Sequence, residues 1–483
     1  MSRTSRFALS LCALLSFASV AATGAHAQNA ERLTQVRKLY VDSLGTDRGA
    51  AEMREQIVRL LRKSHDVKVV DDLKEADALI KGTGRIWVTG HVTLNPHSHG
   101  SIQPTFEGFL SAEVVGSNGD TLWSYLVSPS NFPWKSIADD LAHQLVAKLL
   151  AALKSEGPPE SAAASGEMQA KGTLRGAGAT FPAPLYQRWF ELFQEQNPKA
   201  HITYDAVGSA QGIERLKAGK VDFAASEMPL SDEAMAEQRF VHLPAVLGAV
   251  VVIYNLKGVH QNLNFTPEVL SGIFLGKIAR WNDPEIRKSN RGAALPDASI
   301  VVAHRSDGSG TTFVWSDYLS KINPQWKTSV GSGTTVSWPV GIGAEGNEGV
   351  ASAVQRTPDS IGYVEFIYAI QHELSFGAVR NAAGDFVKAN ISSVTAAAAG
   401  AGTPGQDFRV SITNPPGADA YPIATYTWLL LPDPIADKNK KSVLTDLLRW
   451  VLTAGQKKCS ALGYAPLPAE VAKRALESFE PAK

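Results

Sequence analysis

The sequence contains few cysteines, carries no net charge and has no long apolar run after its first residues. Two of the 483 residues are cysteine, and 47 lysine and arginine residues balance 47 aspartate and glutamate residues. Without a net charge, the chain has no general field that would attract nucleic acid, an anionic membrane surface or another polyanion. An anionic ligand therefore has to be recognised locally, by a small set of side chains and backbone amides.

The first 27 residues have the pattern of a secretory signal peptide. Arg3 and Arg6 precede an apolar run from Phe7 to Ala22, and Ala25-His26-Ala27 forms a small-x-small cleavage site. An uncleaved membrane anchor is the alternative, but the run is shorter than the ~20 residues that a membrane span needs. We therefore expect residues 1–27 to direct export and to be removed.

The scarcity of cysteine excludes an internal disulfide scaffold in the exported chain. Cys12 lies inside the signal, which leaves Cys459 as the one thiol after processing. We expect Cys459 to be a packed small side chain rather than a nucleophile.

Residues 28–153 form the first of three segments that differ in composition. A chain of this length is too long for one ordinary core, so several folding units are expected. Apolar runs predict strands near Leu39, Val67, Ile80–Val88, Phe109–Val115 and Leu122–Val127, with helices over Ala50–Lys63 and Lys135–Leu153. This pattern predicts a small separate α/β domain.

The two remaining segments are a linker and a larger α/β region. Residues 154–172 are rich in Pro, Ala, Ser, Gly and Glu without apolar periodicity, which predicts a flexible linker. From Thr173 onward, short β-branched runs such as Ile202–Val207 alternate with helical patterns, which predicts parallel sheets with crossover helices. About 310 residues exceed one comfortable core, so two lobes are expected. The Ala/Gly run Ala396–Gly402 is interpreted as a loop.

Three junctions between a predicted strand and a predicted helix carry small or hydroxyl-bearing residues. They are Gly176–Pro182, Gly208–Gly212 and Arg305–Thr312. A helix start leaves up to four backbone N–H groups without partners inside the helix, and the helix dipole places partial positive charge there. Such groups can hold a small anion.

Side chains at these junctions add further hydrogen-bond donors. The hydroxyl groups are those of Thr180, Ser209, Ser309 and Thr311. Arg305 adds a guanidinium fork that suits a tetrahedral oxyanion, and Asp307 can orient that fork. Each junction taken alone is more often an ordinary helix cap than a ligand site. Their combination with Arg305 favours an anion site.

The motifs of common enzymes and metal sites fail on spacing. Phe181 stands where a dinucleotide-binding fingerprint needs its third glycine, and Asp307 stands where a GxSxG elbow needs its first. His91, His97 and His99 are close in sequence, but no cysteine or carboxylate lies at ligand spacing, so a polar loop is favoured over a metal site. We expect no catalytic residue, no metal and no cofactor.

Seven stretches of the sequence match one known family in order. They are GAGATFPAPLYQRW (Gly176–Trp189), VGSAQGI (Val207–Ile213), VDFAASEMPLSD (Val221–Asp232), IFLGKIARWNDP (Ile273–Pro284), HRSDGSGTTFVWSDYL (His304–Leu319), GSGTTVSWPVGIGAEGNEGV within Val330–Gln355, and IGYVE (Ile361–Glu365). Over roughly two thirds of its length, the chain resembles the phosphate-binding proteins of bacterial phosphate ABC transporters, the PstS family.

The resemblance implies an α/β, two-lobed periplasmic binding protein fold of type II, with the ligand buried between the lobes. Lobe 1 would comprise residues 173–254 and 421–483, and lobe 2 residues 255–420. Carried over position by position, the phosphate-binding residues are Thr180, Phe181 (through its backbone N–H), Ser209, Arg305, Ser309, Gly310 and Thr311. The implied partners are inorganic phosphate and the membrane permease of an ABC transporter. We expect a periplasmic monomer without a nucleic-acid partner.

Glu227 departs from the family pattern, which usually has Asp at this position. The carboxylate would be the acceptor in a site otherwise lined by donors, and it can bond only a ligand that keeps a proton, as phosphate does and sulfate does not. One extra methylene shifts the oxygens by about an ångström or more unless the backbone or the rotamer compensates. We expect rejection of sulfate to survive. An exposed helix cap is the alternative role for Glu227.

Two other functions remain open on sequence alone. A secreted phosphatase-like enzyme could use the same scaffold, but the pocket offers no nucleophile beside a base. His304 adjoins Arg305, yet neighbouring strand residues face opposite sides, so His304 should point away. The second alternative is an envelope phosphate sensor or scaffold.

Residues 28–153 lie outside the PstS resemblance. Their strand pattern is similar to that of small envelope α/β domains such as the N-terminal domains of TolB-like proteins, without a specific motif to support it. Docking to a transporter component, to the cell wall or to another envelope protein is equally open for this domain.

Overall fold

The computed structural model describes residues 33–45, 48–64, 66–93, 102–117, 121–127, 137–154, 172–237, 239–259 and 262–479. The chain divides into two compact units, residues 1–168 and 169–483, which are named the front unit and the main unit. The predicted signal peptide and most of the predicted linker lie outside the described residues. Within these ranges, no helix has the length and hydrophobicity needed to cross a lipid bilayer.

The front unit combines a mixed sheet with two helices. Its described elements are β1 Lys38–Val41, α1 Arg48–Ser64, β2 Lys68–Val69, β3 Ala78–Thr93, β4 Ile102–Gly116, β5 Thr121–Val127 and α2 Ile137–Lys154. The strand order is β2-β1-β3-β4-β5, with β1 parallel to both neighbours and β3, β4 and β5 antiparallel. Each of these elements was predicted from the sequence, but β3 and β4 extend well beyond the predicted strands Ile80–Val88 and Phe109–Val115.

Helical spacing explains which faces of α1 and α2 are covered. Met53, Ile57 and Leu61 of α1 recur every four residues and are fully buried, as is every fourth residue of α2 from Leu141 to Leu149. Residues four apart share one face of a helix. These faces join the inner side chains of the sheet in a single apolar core.

The main unit alternates strands and helices along the chain. Its described elements are β6 Thr173–Gly178, α3 Ala183–Gln196, β7 His201–Ala206, α4 Ser209–Lys217, β8 Phe223–Ser226, α5 Asp232–Glu237, β9 Phe240–Asn255, β10 Asn264–Phe265, α6 Pro267–Phe274, α7 Pro284–Ser289, β11 Val301–Arg305, α8 Gly310–Ile322, α9 Pro324–Ser329, β12 Ile342–Ala344, α10 Gly346–Arg356, β13 Ser360–Glu365, α11 Phe366–Gln371, β14 Ser375–Phe376, β15 Ala378–Arg380, β16 Phe386–Val387, α12 Ile391–Gly400, β17 Ala424–Pro432, α13 Lys438–Trp450 and α14 Ala469–Phe479. The main sheet has the order β12-β11-β13-β9-β17-β8-β6-β7, with β14 also beside β9, and β10, β15 and β16 form a small second sheet.

Strand β9 joins the two halves of the main sheet. Its residues Phe240–Ala249 pair with β17, and its residues Val250–Asn255 pair with β13. All of its residues from His242 to Tyr254 are buried. The change of partner separates lobe 1, which contains β6, β7, β8 and β17, from lobe 2, which contains β11, β12 and β13. This change of partner lies between Ala249 and Val250, a few residues before the lobe boundary predicted at Tyr254.

The main sheet is mixed, which corrects the prediction of parallel sheets. β6 is parallel to β7 and β8, and β11 is parallel to β12 and β13. By contrast, β9 is antiparallel to both β13 and β17. A continuous apolar run indicates that a strand is covered on both faces, but it does not determine the direction of its neighbours.

The run Ala396–Gly402 is largely helical, so the interpretation as a loop was wrong. α12 spans Ile391–Gly400 and begins with a capping box formed by Asn390 and Ser393. Alanine has the highest intrinsic helix propensity, and the cap supplies the start signal. The low complexity of the run concealed an ordinary short helix.

Candidate anion-binding site

Three helix starts of the main unit carry residues predicted for the site. α3 follows Thr180 and Phe181, α4 begins at Ser209, and α8 begins at Gly310. Ser309 is the N-cap of α8, and its hydroxyl group accepts a hydrogen bond from the α8 backbone at 3.1 Å. First-turn N–H groups have no partners within their own helix, so each start offers donors to a ligand.

The starts of α4 and α8 meet although they belong to different lobes. The amide of Ala210 donates a hydrogen bond to the carbonyl of Gly308 at 3.1 Å. A Cβ atom on Gly310 would lie 2.1 Å from Oε2 of Glu227 and 2.4 Å from Oγ of Ser209. Only glycine fits there, and the α8 backbone therefore lies directly against these two side chains.

Arg305 is buried at the end of β11, and Asp307 fixes the direction of its guanidinium. Nε donates to one carboxylate oxygen of Asp307 at 2.7 Å, and Nη2 donates to the other. Nη1 donates to Oγ1 of Thr311 at 3.4 Å. Burial raises the pKa of Asp307, but the hydrogen bonds and charge of Arg305 outweigh burial and hold that pKa below its ordinary value. The Asp307 carboxyl is therefore ionised at neutral pH.

Glu227 places a buried carboxyl group beside the start of α8. It is 1% exposed, Oε2 accepts from the Ser209 hydroxyl at 3.3 Å, and Oε1 accepts from the Thr427 hydroxyl at 3.2 Å. Burial raises the pKa of Glu227 to about 8, although these hydrogen bonds and the charge of Arg305 act to lower it. The alternative role of an exposed helix cap is therefore wrong.

Asn347 and Thr427 were not predicted from the sequence. Asn347, in the first turn of α10, is fully buried, and its Nδ2 donates to Oγ1 of Thr180 at 2.9 Å and to Oγ1 of Thr311 at 3.1 Å. It follows Gly346, whose φ is 68°, at a strand-to-helix junction of the same kind as the others. This signal could have identified Asn347. Thr427 lies within a buried strand, and nothing in the local sequence marks it.

Phe181 and His304 support the site from its edges. A Cβ atom on Gly248 would lie 2.4 Å from the Phe181 ring, and the Phe181 carbonyl accepts from the Tyr464 hydroxyl at 2.7 Å. His304 stacks on Trp338 with ring centroids 4.7 Å apart. The imidazole is thus packed in an aromatic cluster, as expected for a strand residue that points away from the guanidinium.

Two further groups were singled out in the sequence, Cys459 and the histidines near residue 95. Cys459 is fully buried and unpaired, and burial raises the pKa of its thiol, as expected for a packed side chain. His91 lies on β3 of the front unit, whereas His97 and His99 fall outside the described residues. The interpretation as a polar loop was therefore wrong for His91, and it stays a prediction for His97 and His99.

The site combines many donors with one carboxyl group that can share a proton. The start of α8 and the hydroxyl groups of Ser209 and Thr427 lie against the carboxyl of Glu227, and Nη1 of Arg305 contacts the Thr311 hydroxyl at the same helix start. A tetrahedral oxyanion accepts many hydrogen bonds at once, and charged oxygens suit both helix starts and arginine. The chemistry of the site therefore fits an oxyanion that shares one proton with a carboxyl group.

Comparison with known proteins places the same segment in one family. The family model described as PBP superfamily domain matches residues 163–454. The phosphate-binding protein PstS of Pasteurella multocida (strain Pm70) is 40% identical over 304 residues, which is 62% of this chain and 88% of that protein. The protein of the same name from Xylella fastidiosa (strain Temecula1) is 41% identical over 303 residues, 62% of this chain and 83% of its own.

A solved structure has the same fold. It is that of a high affinity periplasmic phosphate-binding protein, PfluDING, bound with phosphate, and it aligns with a TM-score of 0.52 at 21% identity over 63% of this chain and 93% of its own. Residues 1–162 precede the segment that the family model matches. The matched segment shows that the chain belongs to the PBP superfamily and, within it, to the PstS family of phosphate-binding proteins.

Proposed function

We propose that the main unit binds inorganic phosphate between its two lobes and that the chain delivers it to the permease of an ABC transporter for import. The observation that carries this proposal is the meeting of the α4 and α8 starts around Arg305, beside the buried carboxyl of Glu227. Relatives at 40% identity bear the name phosphate-binding protein, which supports the same ligand for this chain.

The proposed ligand residues are those that the sequence and the geometry bring together. They are Thr180, Phe181 through its N–H, Ser209, Glu227, Arg305, Ser309, Gly310 and Thr311. Asp307 holds the Arg305 fork in the orientation that leaves Nη1 facing the Thr311 hydroxyl. The role is capture and release, in which no covalent bond of phosphate changes.

Delivery requires export and a change of shape. We infer that residues 1–27 direct the chain to the periplasm and that it acts there as a monomer. Closure of the two lobes around the ligand would present a surface from both lobes to the permease, so that the permease distinguishes the loaded form from the empty form. The partner of the front unit stays open.

Glu227 gives phosphate an advantage over sulfate that depends on pH. Phosphate brings the proton that one oxygen must share with the carboxyl group, whereas sulfate has none and requires Glu227 to be protonated first. Because the pKa of Glu227 is raised to about 8, the neutral carboxyl can donate to sulfate below that pH. Rejection of sulfate should therefore strengthen as pH rises through about 8, by up to about tenfold per pH unit.

Isothermal titration calorimetry of the purified chain with phosphate, arsenate and sulfate tests the proposed function. We expect one phosphate per chain with a Kd of about 1 μM or below, and sulfate binding that is weaker and declines between about pH 6 and about pH 9. Failure of millimolar phosphate to bind would refute the proposal, and so would equal affinity for sulfate at about pH 9.

Glu227→Gln tests the proton-sharing step by itself. The amide keeps the size of the side chain but neither ionises nor needs a proton from the ligand. At about pH 9, where Glu227 of the wild type is ionised, the preference for phosphate over sulfate should therefore fall by about tenfold or more, and it should no longer strengthen as pH rises through about 8. An unchanged preference would exclude Glu227 as the discriminating group.

A further inference from the structure

Asn347 forms hydrogen bonds with both lobes of the main unit. Its Nδ2 donates to Oγ1 of Thr180 in lobe 1 at 2.9 Å and to Oγ1 of Thr311 in lobe 2 at 3.1 Å. Its Oδ1 accepts from the backbone amide of Glu365 at 2.9 Å. The side chain is fully buried, so these three bonds fix the orientation of the amide.

The fixed amide determines how the two threonine hydroxyl groups can be used. A hydroxyl group has one hydrogen and two acceptor lone pairs, while the amide nitrogen can only donate. Thr180 and Thr311 must therefore accept from Asn347, and the Thr311 oxygen also accepts from Nη1 of Arg305 at 3.4 Å. Their own hydrogens are left to donate to a further acceptor. Donors fixed in advance lose less entropy when an anion binds.

One of these bonds exists only when the lobes are closed. The bond to Thr180 crosses from lobe 2 to lobe 1, and a second bond, from the Tyr368 hydroxyl to the Thr180 carbonyl at 2.7 Å, crosses beside it. The bond to Thr311 remains within lobe 2. Opening of the lobes would therefore break the bond from Asn347 to Thr180 and leave the bond from Asn347 to Thr311 in place.

We propose that Asn347 is a positioning residue of the phosphate site, which directs the hydroxyl hydrogens of Thr180 and Thr311 toward phosphate and stabilises the closed state. The inference rests on the proposed binding of phosphate. Asn347 acts through the two threonines, so its removal should speed the release of phosphate more than it slows capture. Capture begins from the open state, where the bond to Thr180 is absent.

Two substitutions at Asn347 test the role in the full chain, with inorganic phosphate as the ligand. Asn347→Ala removes both donors, and we expect a Kd higher by roughly 10- to 100-fold, with most of the change in the dissociation rate measured by stopped flow. Asn347→Asp has the same shape and keeps an acceptor for the Glu365 amide. Its carboxylate turns both hydroxyl hydrogens away from phosphate, so the loss should exceed that of Asn347→Ala.

Asn290 provides a matched control for a merely structural effect. It is a buried asparagine of the same unit, and its Nδ2 donates to the carbonyls of Asn264 at 2.9 Å and Ile286 at 2.8 Å, while its Oδ1 accepts from the Asn264 amide at 2.8 Å. Asn290→Ala should lower the thermal midpoint of the ligand-free protein. It should leave the phosphate dissociation rate within about twofold of wild type.

A double-mutant cycle with Thr180→Val separates positioning from general destabilisation. If Asn347 acts through Thr180, Asn347→Ala should cost several-fold less affinity in the Thr180→Val background than in wild type. The effects of Asn290→Ala and Thr180→Val should simply add.

The outcomes distinguish the inference from the proposed function. Absence of phosphate binding by the wild-type chain would refute the function itself. Wild-type binding with unchanged release from both Asn347 variants would overturn the positioning role, and so would strict additivity with Thr180→Val. Should Asn347→Ala fail to fold, the isosteric Asn347→Asp variant decides the question.

Discussion

The interiors of the two units differ in how much polar chemistry they bury. Among front-unit side chains that the structure describes, the buried polar ones are Thr83 and Asp139. The main unit buries many more, and a group of them meets at one place: Ser209, Glu227, Arg305, Ser309, Thr311, Asn347 and Thr427. Burial of such groups is costly unless each finds a partner. The described front-unit core therefore serves folding, whereas the main unit accepts a stability cost where a ligand can complete the hydrogen bonds.

Loss of the central positive charge of the site should weaken phosphate binding more than any of the other substitutions below. Arg305→Met leaves Asp307 without its partner and removes the full positive charge of the site, so the Kd for phosphate should rise by about 100- to 1000-fold, equivalent to about 3–4 kcal/mol. Calorimetry measures the change. Arg380→Met is the control, because Arg380 pairs with Glu268 at 2.8 Å on an exposed surface. An exposed ion pair contributes about 1 kcal/mol or less to stability. A similar small loss for both variants would contradict the assignment of Arg305.

The stability cost of the buried carboxyl should be visible without ligand. The folded chain keeps the Glu227 proton up to about pH 8, whereas the unfolded chain releases it near the ordinary value of 4.5. The folded state binds more protons between these values, so its contribution to the free energy of unfolding falls as pH rises through this window. Glu227→Gln removes this term and should be more stable than wild type by a few kcal/mol at about pH 8, and equal at about pH 4.

Denaturant unfolding of the phosphate-free proteins over this pH range checks the sign. A Glu227→Gln variant that loses stability at high pH relative to wild type would show that the carboxylate is stabilised in the folded state, contrary to its burial.

A smaller effect on phosphate affinity is expected from Thr427, which makes a single hydrogen bond to the buried carboxyl of Glu227. Thr427→Val removes the donor to Oε1 of Glu227 while nearly keeping the volume, so phosphate affinity should fall by about fivefold, equivalent to about 1 kcal/mol. Thr425→Val on the same strand is the control, since that hydroxyl bonds to the Tyr426 carbonyl at 2.9 Å. Equal effects of the two variants on Kd would assign the loss to the strand rather than to Glu227.

The smallest effect on phosphate binding is expected from a substitution that creates a cavity in the front unit. Leu141→Ala on α2 removes a fully buried side chain and should destabilise the front unit by about 2–5 kcal/mol. The Kd for phosphate should stay within about twofold of wild type, because substitutions without shared partners add independently. A larger change measured by the same titration would show that the front unit takes part in ligand binding.

Local signals in the sequence predicted much of the site because helix starts are encoded locally. Gly, Ser and Thr at a strand-to-helix junction indicate backbone amides that have no partner within the helix. Arg305 lies in the same short segment as Ser309. The front-unit helices were equally predictable, since Leu141 and its neighbours repeat with the helical period. In each case, residues that act together are close in sequence.

Relations between distant segments could not be predicted in the same way. Thr427 meets Glu227 across two hundred intervening positions, and the antiparallel direction of β9 follows from the connections rather than from its apolar residues. The raised pKa of Glu227 depends on burial by several elements, which no local pattern records. Asn347 lies between these cases, because its junction was visible while its contacts with Thr180 and Thr311 were not.

The shared strand β9 sets a mechanical limit on ligand exchange. Both lobes share this continuous strand, and the chain returns to lobe 1 beside it near Tyr421. Rotation of one lobe against the other therefore has to be absorbed in part as torsion near Ala249 and Val250, where β9 changes its pairing partner. Amide protons on either side of that point should exchange slowly even during rapid turnover of ligand. A short elastic element of this kind would return the empty protein to one resting geometry after each release.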